Sequence, residues 1–308
     1  MLNRREFLEI GSAGALSLAA AATASRGNWS PSRRFSRNYA PQLGMFRHHA
    51  GSEPLDQIRF LADDGFRSIE DTGLRAKRPA LQRQIGRELT RRGMSLACFT
   101  GIVDFGRATF ASGRPDLRLE VMRQLQFATE VADRVGGRAL SVVPGQRDAS
   151  LDLREQRRNA IELVSQCSDL CARRGIVLLL EPIDHGVGSS RLFLRSARQA
   201  AALCRVVKTP SCRLLIDVSQ QAMAGEDVPK LLEDVSDVLG HVQLGNVAGW
   251  KKRGTAIEIP RLLATLDAIG YRGALGLDCG AALAGKARER DVIAACVDLD
   301  RSGQGRMA

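Results

Sequence analysis

From residue 39 onward the chain alternates two patterns. Short runs of apolar, branched residues read as strands buried on both faces. Between them lie longer stretches whose apolar positions recur three and four apart, the spacing of an amphipathic helix. The runs predict strands at 43–46, 66–70, 94–99, 138–143, 176–181, 212–217, 240–244 and 274–278. Helices are predicted over 53–65, 79–93, 117–135, 153–174, 196–206, 228–238, 260–269 and 286–298. In 153–174, Gln156, Ala160, Leu163, Val164, Cys167, Leu170 and Cys171 mark one inner face. Pro144-Gly145 breaks the fourth strand and Pro182 the fifth, because proline cannot donate to a ladder. Gly93 and Gly270 stop the helices before them. Eight strand–helix units with no linker predict an α/β fold, a (β/α)8 TIM barrel forming a single domain over 39–300. An open doubly wound sheet is the competing architecture. No GxGxxG follows the first strand, so dinucleotide binding has no support.

Ahead of the barrel, Arg4-Arg5 precedes Phe7-Leu8 and a mild Gly/Ala-rich run from Ile10 to Ala22. That run is too short to span a membrane, and Ala22-Thr-Ala24 has the small-x-small form of a cleavage site. The segment 1–24 reads as a twin-arginine signal peptide, which makes the protein periplasmic or otherwise exported; a retained anchor is the alternative. Residues 25–38 read as a flexible lead-in, and 301–308 as a disordered tail.

Forty-five Lys and Arg against 34 Asp and Glu give a net charge of +11. The basic residues are mostly arginines along predicted helix faces, with no polybasic block interleaved with aromatics, so no nucleic-acid partner is expected. The seven cysteines are odd in number and contain no CxxC pair. Cys167 and Cys171, one helical turn apart, suit core hydrophobes better than a zinc site. Homo-oligomerisation is left open.

The candidate chemistry lies at the strands' carboxyl ends, where a barrel of this kind places its active site. The fifth strand ends in Glu181, the sixth in Asp217, the seventh in Gln243 and the eighth in Asp278. Three carboxylates and an amide oxygen around one mouth suit a hard divalent cation, Mg²⁺ or Mn²⁺. The cation would also relieve the repulsion among clustered carboxylates. Glu70 ends the second strand and reads either as support behind these residues or as half of a structural ion pair. His241 shares a strand face with Gln243. It is taken with His48, beyond the first strand, and Gln146, after Pro144-Gly145, as a candidate substrate contact.

On these residues the chain resembles the xylose isomerase-like TIM barrels, most nearly the hydroxypyruvate isomerase-like sugar isomerases and epimerases. The likeness runs from about Tyr39 to Gly280. Its segments are Gly65-Phe-Arg-Ser-Ile-Glu70, Val143-Pro-Gly145, Leu180-Glu-Pro182, Ile216-Asp217, His241-Val-Gln243 and Gly270-Tyr-Arg-Gly-Ala-Leu-Gly276. The resemblance implies that Glu181 and Asp278 bind the metal and exchange a proton with the substrate, through an enediolate. It also implies that Asp217 and Gln243 complete the metal shell. The expected partner is a small sugar or hydroxy-carbonyl compound.

The chain departs from that pattern in several places. Gln220 stands where similar enzymes carry a histidine. It can hydrogen-bond a substrate hydroxyl but cannot titrate near neutrality. Ala248-Gly249-Trp250 and Ala256-Ile257 replace a loop that usually supplies an arginine and a glutamate; Trp250 is a candidate sugar-stacking surface. Asp278 replaces a glutamate, retracting the carboxylate by about 1.5 Å. A misplacement of about 1 Å can cost on the order of a hundredfold in rate. A carbohydrate-binding relative with weakened or lost catalysis is therefore the alternative function. A multinuclear zinc nuclease on the same barrel is disfavoured by a total of four histidines.

Overall fold

The branched apolar runs form a parallel eight-stranded sheet whose order is β1-β8-β7-β6-β5-β4-β3-β2. The computed structural model describes residues 35–183, 191–245, 247, 257–277 and 285–304. The expected signal peptide, most of the lead-in, Trp250 and Asp278 lie outside the described residues.

The order of elements starts with β1 (Tyr39–Pro41), α1 (Arg47–Ala50), α2 (Pro54–Asp63), β2 (Ser68–Asp71), a 3-10 turn at Leu74–Ala76, α3 (Pro79–Arg91) and β3 (Ser95–Val103). It continues with α4 (Pro115–Val135), β4 (Ala139–Val143), α5 (Leu153–Ala172), β5 (Val177–Leu180), α6 (Ala197–Val207) and β6 (Cys212–Asp217). It ends with α7 (Val218–Met223), α8 (Val228–Asp234), β7 (Leu239–Gln243), α9 (Ile259–Ala268), β8 (Leu275–Leu277) and α10 (Lys286–Gln304). A bridge between Gln42 and Glu70 brings the sheet's two edges together and closes the barrel. Leu43 N–H donates to the Glu70 carbonyl there, at 2.7 Å.

The strands separate two apolar layers. Leu178, Leu180, Leu214 and Ile216 face the helices in the main core, whereas Cys98, Leu179 and Leu215 form a small cluster inside the barrel. Alternation alone would not put the polar interior residues where they are. On β7, Leu239 pairs with Leu214 but His241 pairs with Leu215, so Gly240 is an extra, bulged residue. A Cβ at Gly240 would lie 2.4 Å from Arg213 Cβ and 2.7 Å from Leu179 Cδ2, so only glycine fits. The bulge reverses the strand's phase and turns His241 and Gln243 inward. Ala97 plays the same part on β3, where Ile69 pairs with Leu96 but Glu70 with Cys98.

Three expectations are corrected. The first strand is Tyr39–Pro41, not 43–46. Pro41 is tolerated because no ladder bond to β8 falls on the proline nitrogen. The donor toward β8 is the next residue, Gln42, whose N–H reaches the Leu277 carbonyl at 3.3 Å. Leu43 to Phe46 instead turns, with Gly44 at φ +106° and its N–H on Gln57 Oε1 at 2.7 Å. The end of the lead-in is packed: Phe35 sits against Tyr39 and Phe66, and Ser36 N–H and Oγ–H both donate to Asp300. The closing helix runs through Gln304, past the expected 298. Cys98, Cys167, Cys171, Cys204, Cys212 and Cys296 are buried free thiols. No helix among the described residues is long and apolar enough to cross a membrane.

Candidate active site

The barrel interior holds a hydrogen-bonded group centred on Glu70, which is 1% exposed. Its Oε1 lies 2.5 Å from His241 Nε2, and its Oε2 accepts from Gln42 Nε2 and Gln243 Nε2, each at 2.9 Å. A buried carboxylate without such partners would be costly, and three donors from β7 and the end of β1 remove that cost. The fit is close. A Cβ on Gly276 of β8 would lie 2.2 Å from Glu70 Oε1 and 2.7 Å from Gln243 Cγ. Beside it, the Tyr271 hydroxyl accepts from Val242 N–H at 3.1 Å and donates to the Ala274 carbonyl at 2.7 Å. A Cβ on Gly273 would lie 2.6 Å from that hydroxyl. Gly273 and Gly276 thus make room for Tyr271 and Glu70. Burial raises the Tyr271 phenol above its usual range, keeping it a neutral donor.

Glu181 follows β5, Asp217 ends β6 and Gln243 ends β7. These strands pair in sequence order, with Leu180 opposite Leu214 and Asp217 opposite Gln243. Glu181 shares the interior with Glu70: burial first, then the charges of Glu70 and Glu181, push the Cys98 thiol well above its ordinary value. Asp217 also caps α7, its Oδ1 accepting from Gln220 N–H at 2.9 Å. Asp278, the expected fourth ligand, lies outside the described residues. Among the described residues no three His, Cys, Asp or Glu side chains meet as a ready metal cage. The donor chemistry nevertheless fits a hard cation. Two carboxylates and an amide follow one another around the mouth, and the Gln243 nitrogen is already bound to Glu70, which leaves its oxygen as the remaining donor atom.

The expected substrate contacts divide. Gln220 stands beside Asp217, its Nε2 at 3.4 Å from Asp217 Oδ2, and its Oε1 is buried without a hydrogen-bond partner among the described residues. His241 is 4% exposed and bonded to Glu70, so it supports the interior instead of lining the mouth. Gln146 donates its amide to the Phe105 carbonyl at 2.6 Å and so ties one loop to another. His48 lies on α1 with an exposed side chain, and its backbone N–H donates to Glu289 Oε1 at 2.7 Å. It was expected at a strand end, but the first strand stops seven residues before it. Trp250 lies outside the described residues. Gln42, Tyr271 and Gly276 escaped the reading of functional residues. Gln42 would have been found from the correct end of β1.

A closed parallel barrel with polar side chains converging from its strand ends is the architecture of a small-molecule enzyme site. The chain belongs to the xylose isomerase-like TIM barrel family, whose pattern matches residues 58–296. It is 24% identical over 253 residues to a 2-oxo-tetronate isomerase of Cupriavidus necator, covering 80% of this chain and 92% of that protein. It is also 24% identical over 233 residues to a Xenopus laevis protein provisionally named hydroxypyruvate isomerase, covering 72% and 82%. Among solved structures, a D-psicose 3-epimerase in the presence of D-fructose shares the fold, with a TM-score of 0.71 at 14% identity, covering 87% of this chain and 100% of that one.

Proposed function

We propose that the protein is a divalent-metal-dependent isomerase or epimerase of a small sugar or hydroxy-carbonyl compound, exported by the twin-arginine route. The reading is carried by the succession of Glu181, Asp217 and Gln243 on β5, β6 and β7, with the Gln243 nitrogen held by Glu70. The names of the matched relatives support the same class. Bound by these three residues and Asp278, Mg²⁺ or Mn²⁺ would polarise the substrate's carbonyl and hydroxyl oxygens.

The protein's own groups carry the proton. Glu181 takes a proton from the carbon beside the carbonyl, leaving an enediolate. Return of that proton by the same carboxylate to the neighbouring carbon, with a second proton passing between the two substrate oxygens, isomerises aldose and ketose. Delivery of a proton by the protonated Asp278 to the original carbon from the opposite face, with Glu181 left protonated, epimerises. Gln220 Oε1, a buried acceptor next to Asp217, takes a substrate hydroxyl, and Trp250 offers a stacking surface. The apolar cluster of Cys98, Leu179 and Leu215 packs inside the barrel beside these groups.

A second reading, a carbohydrate-binding relative without proton chemistry, is favoured by Gln220 and Ile257 in place of the histidine and glutamate of similar enzymes. Incubation of candidate sugars in D₂O with the Mn²⁺-loaded protein separates the two. Carbon-bound deuterium is expected, reduced at least about a hundredfold in Glu181→Gln. Sugar binding with no exchange would establish the second reading and overturn the first.

A further inference from the structure

Glu70 touches four strands. It lies on β2, bonds to His241 and Gln243 of β7 and to Gln42 just beyond β1, and fills the space left by Gly276 of β8. Its two oxygens accept from three donors, and it is 1% exposed, so it lacks the access to substrate that a base needs. Its effect on Gln243 is specific. An amide carries a donor end and an acceptor end of nearly the same shape, and its surroundings decide which way it faces. Here the carboxylate takes the nitrogen, at 2.9 Å. The reversed amide would set its oxygen against a buried carboxylate oxygen, two acceptors with no proton between them. The orientation is therefore locked, and the amide oxygen is the end that Glu70 leaves unengaged. Gln42 sits on the same Glu70 oxygen as Gln243 and is fixed in turn, its own Oε1 accepting from Thr72 N–H at 3.2 Å.

We infer that Glu70 is a positioning residue: through the Gln243 amide it fixes which atom β7 presents to the mouth, and it thereby sets the affinity of the site for a hard cation. A cation binds the amide oxygen and not its nitrogen, so the lock converts an ambiguous side chain into a preorganised oxygen donor. The cation part of this inference rests on the reading given under Proposed function; the orientation of Gln243 does not.

The test uses the full chain with Glu70→Gln, a variant of the same shape that can offer nitrogen or oxygen to each neighbour. In the metal-free protein, the Gln243 side-chain NH₂ signals, assigned by their loss in Gln243→Ala, are expected to exchange slowly with solvent. In Glu70→Gln they should shift and lose that protection. Unchanged signals would overturn the inference. Mn²⁺ binding, followed by the electron paramagnetic resonance of the free ion, is expected to weaken about ten- to hundredfold in Glu70→Gln. The same change should add little once Gln243→Ala is present. An equal loss in both backgrounds, with folding intact, would show a general structural role and refute action through Gln243. If the wild-type protein takes up no Mn²⁺ while the NMR result holds, the metal reading fails and the positioning role stands.

Discussion

Gly276→Ala tests how closely the interior is built. The added Cβ would lie 2.2 Å from Glu70 Oε1, 2.8 Å from Glu70 Cδ and 2.7 Å from Gln243 Cγ. The Glu70 carboxylate is the far end of a flexible chain, so the overlap itself could be relieved by rotation. Rotation would, however, break bonds to His241, Gln42 and Gln243 in a site that is 1% exposed. Losing one or two bonds to a buried charge, with residual crowding, amounts to about 2–4 kcal/mol. For a domain of this size that lowers Tm by about 4–7 °C. Thermal unfolding followed by circular dichroism measures it, with Gly106→Ala as the control, since the nearest atom to a Cβ there, Asp104 Oδ1, is 3.8 Å away. Mn²⁺ uptake should fall with the same substitution, because Gln243 loses its anchor. A Gly276→Ala protein that melts with the wild type and binds Mn²⁺ equally well would refute the picture of a filled, bonded interior.

Gly240→Ala should also destabilise, by about 1–3 kcal/mol in denaturant unfolding, because the crowding falls on Arg213 Cβ, which no rotamer moves. Acid titration checks a cluster that joins α2 and α3 around the largely buried Glu88. Arg91 chiefly, with Arg59, holds the Glu88 carboxyl down to about 2 from 4.5. A depressed carboxylate stabilises the fold fully above pH 4.5, and that contribution is lost as pH falls through about 2. Glu88→Gln should therefore lower stability at neutral pH and flatten its dependence across that window; an unchanged acid profile would count against the cluster.

Much of this protein can be read from the chain alone, because the signals that specify its elements are local. The run before Glu181 and the run ending in Asp217 are strands by composition, and the face from Gln156 to Cys171 is buried as its spacing requires. Proline and glycine set most of the ends. The errors fall where a local signal is weak or misleading. β1 has three residues and ends in proline, and α7 has six residues and depends on Asp217 as its cap. The candidate site was legible only as a row of strand ends. Glu70 and His241 stand 171 residues apart, and nothing near either one announces the other. Their meeting requires the closed barrel, the bulge at Gly240 that turns His241 inward, and the missing side chain at Gly276. Hydrophobic periodicity determines which segments become strands and helices. The direction in which a polar side chain points within the barrel depends on strand phase and on the space its neighbours leave, and only the assembled tertiary structure decides those.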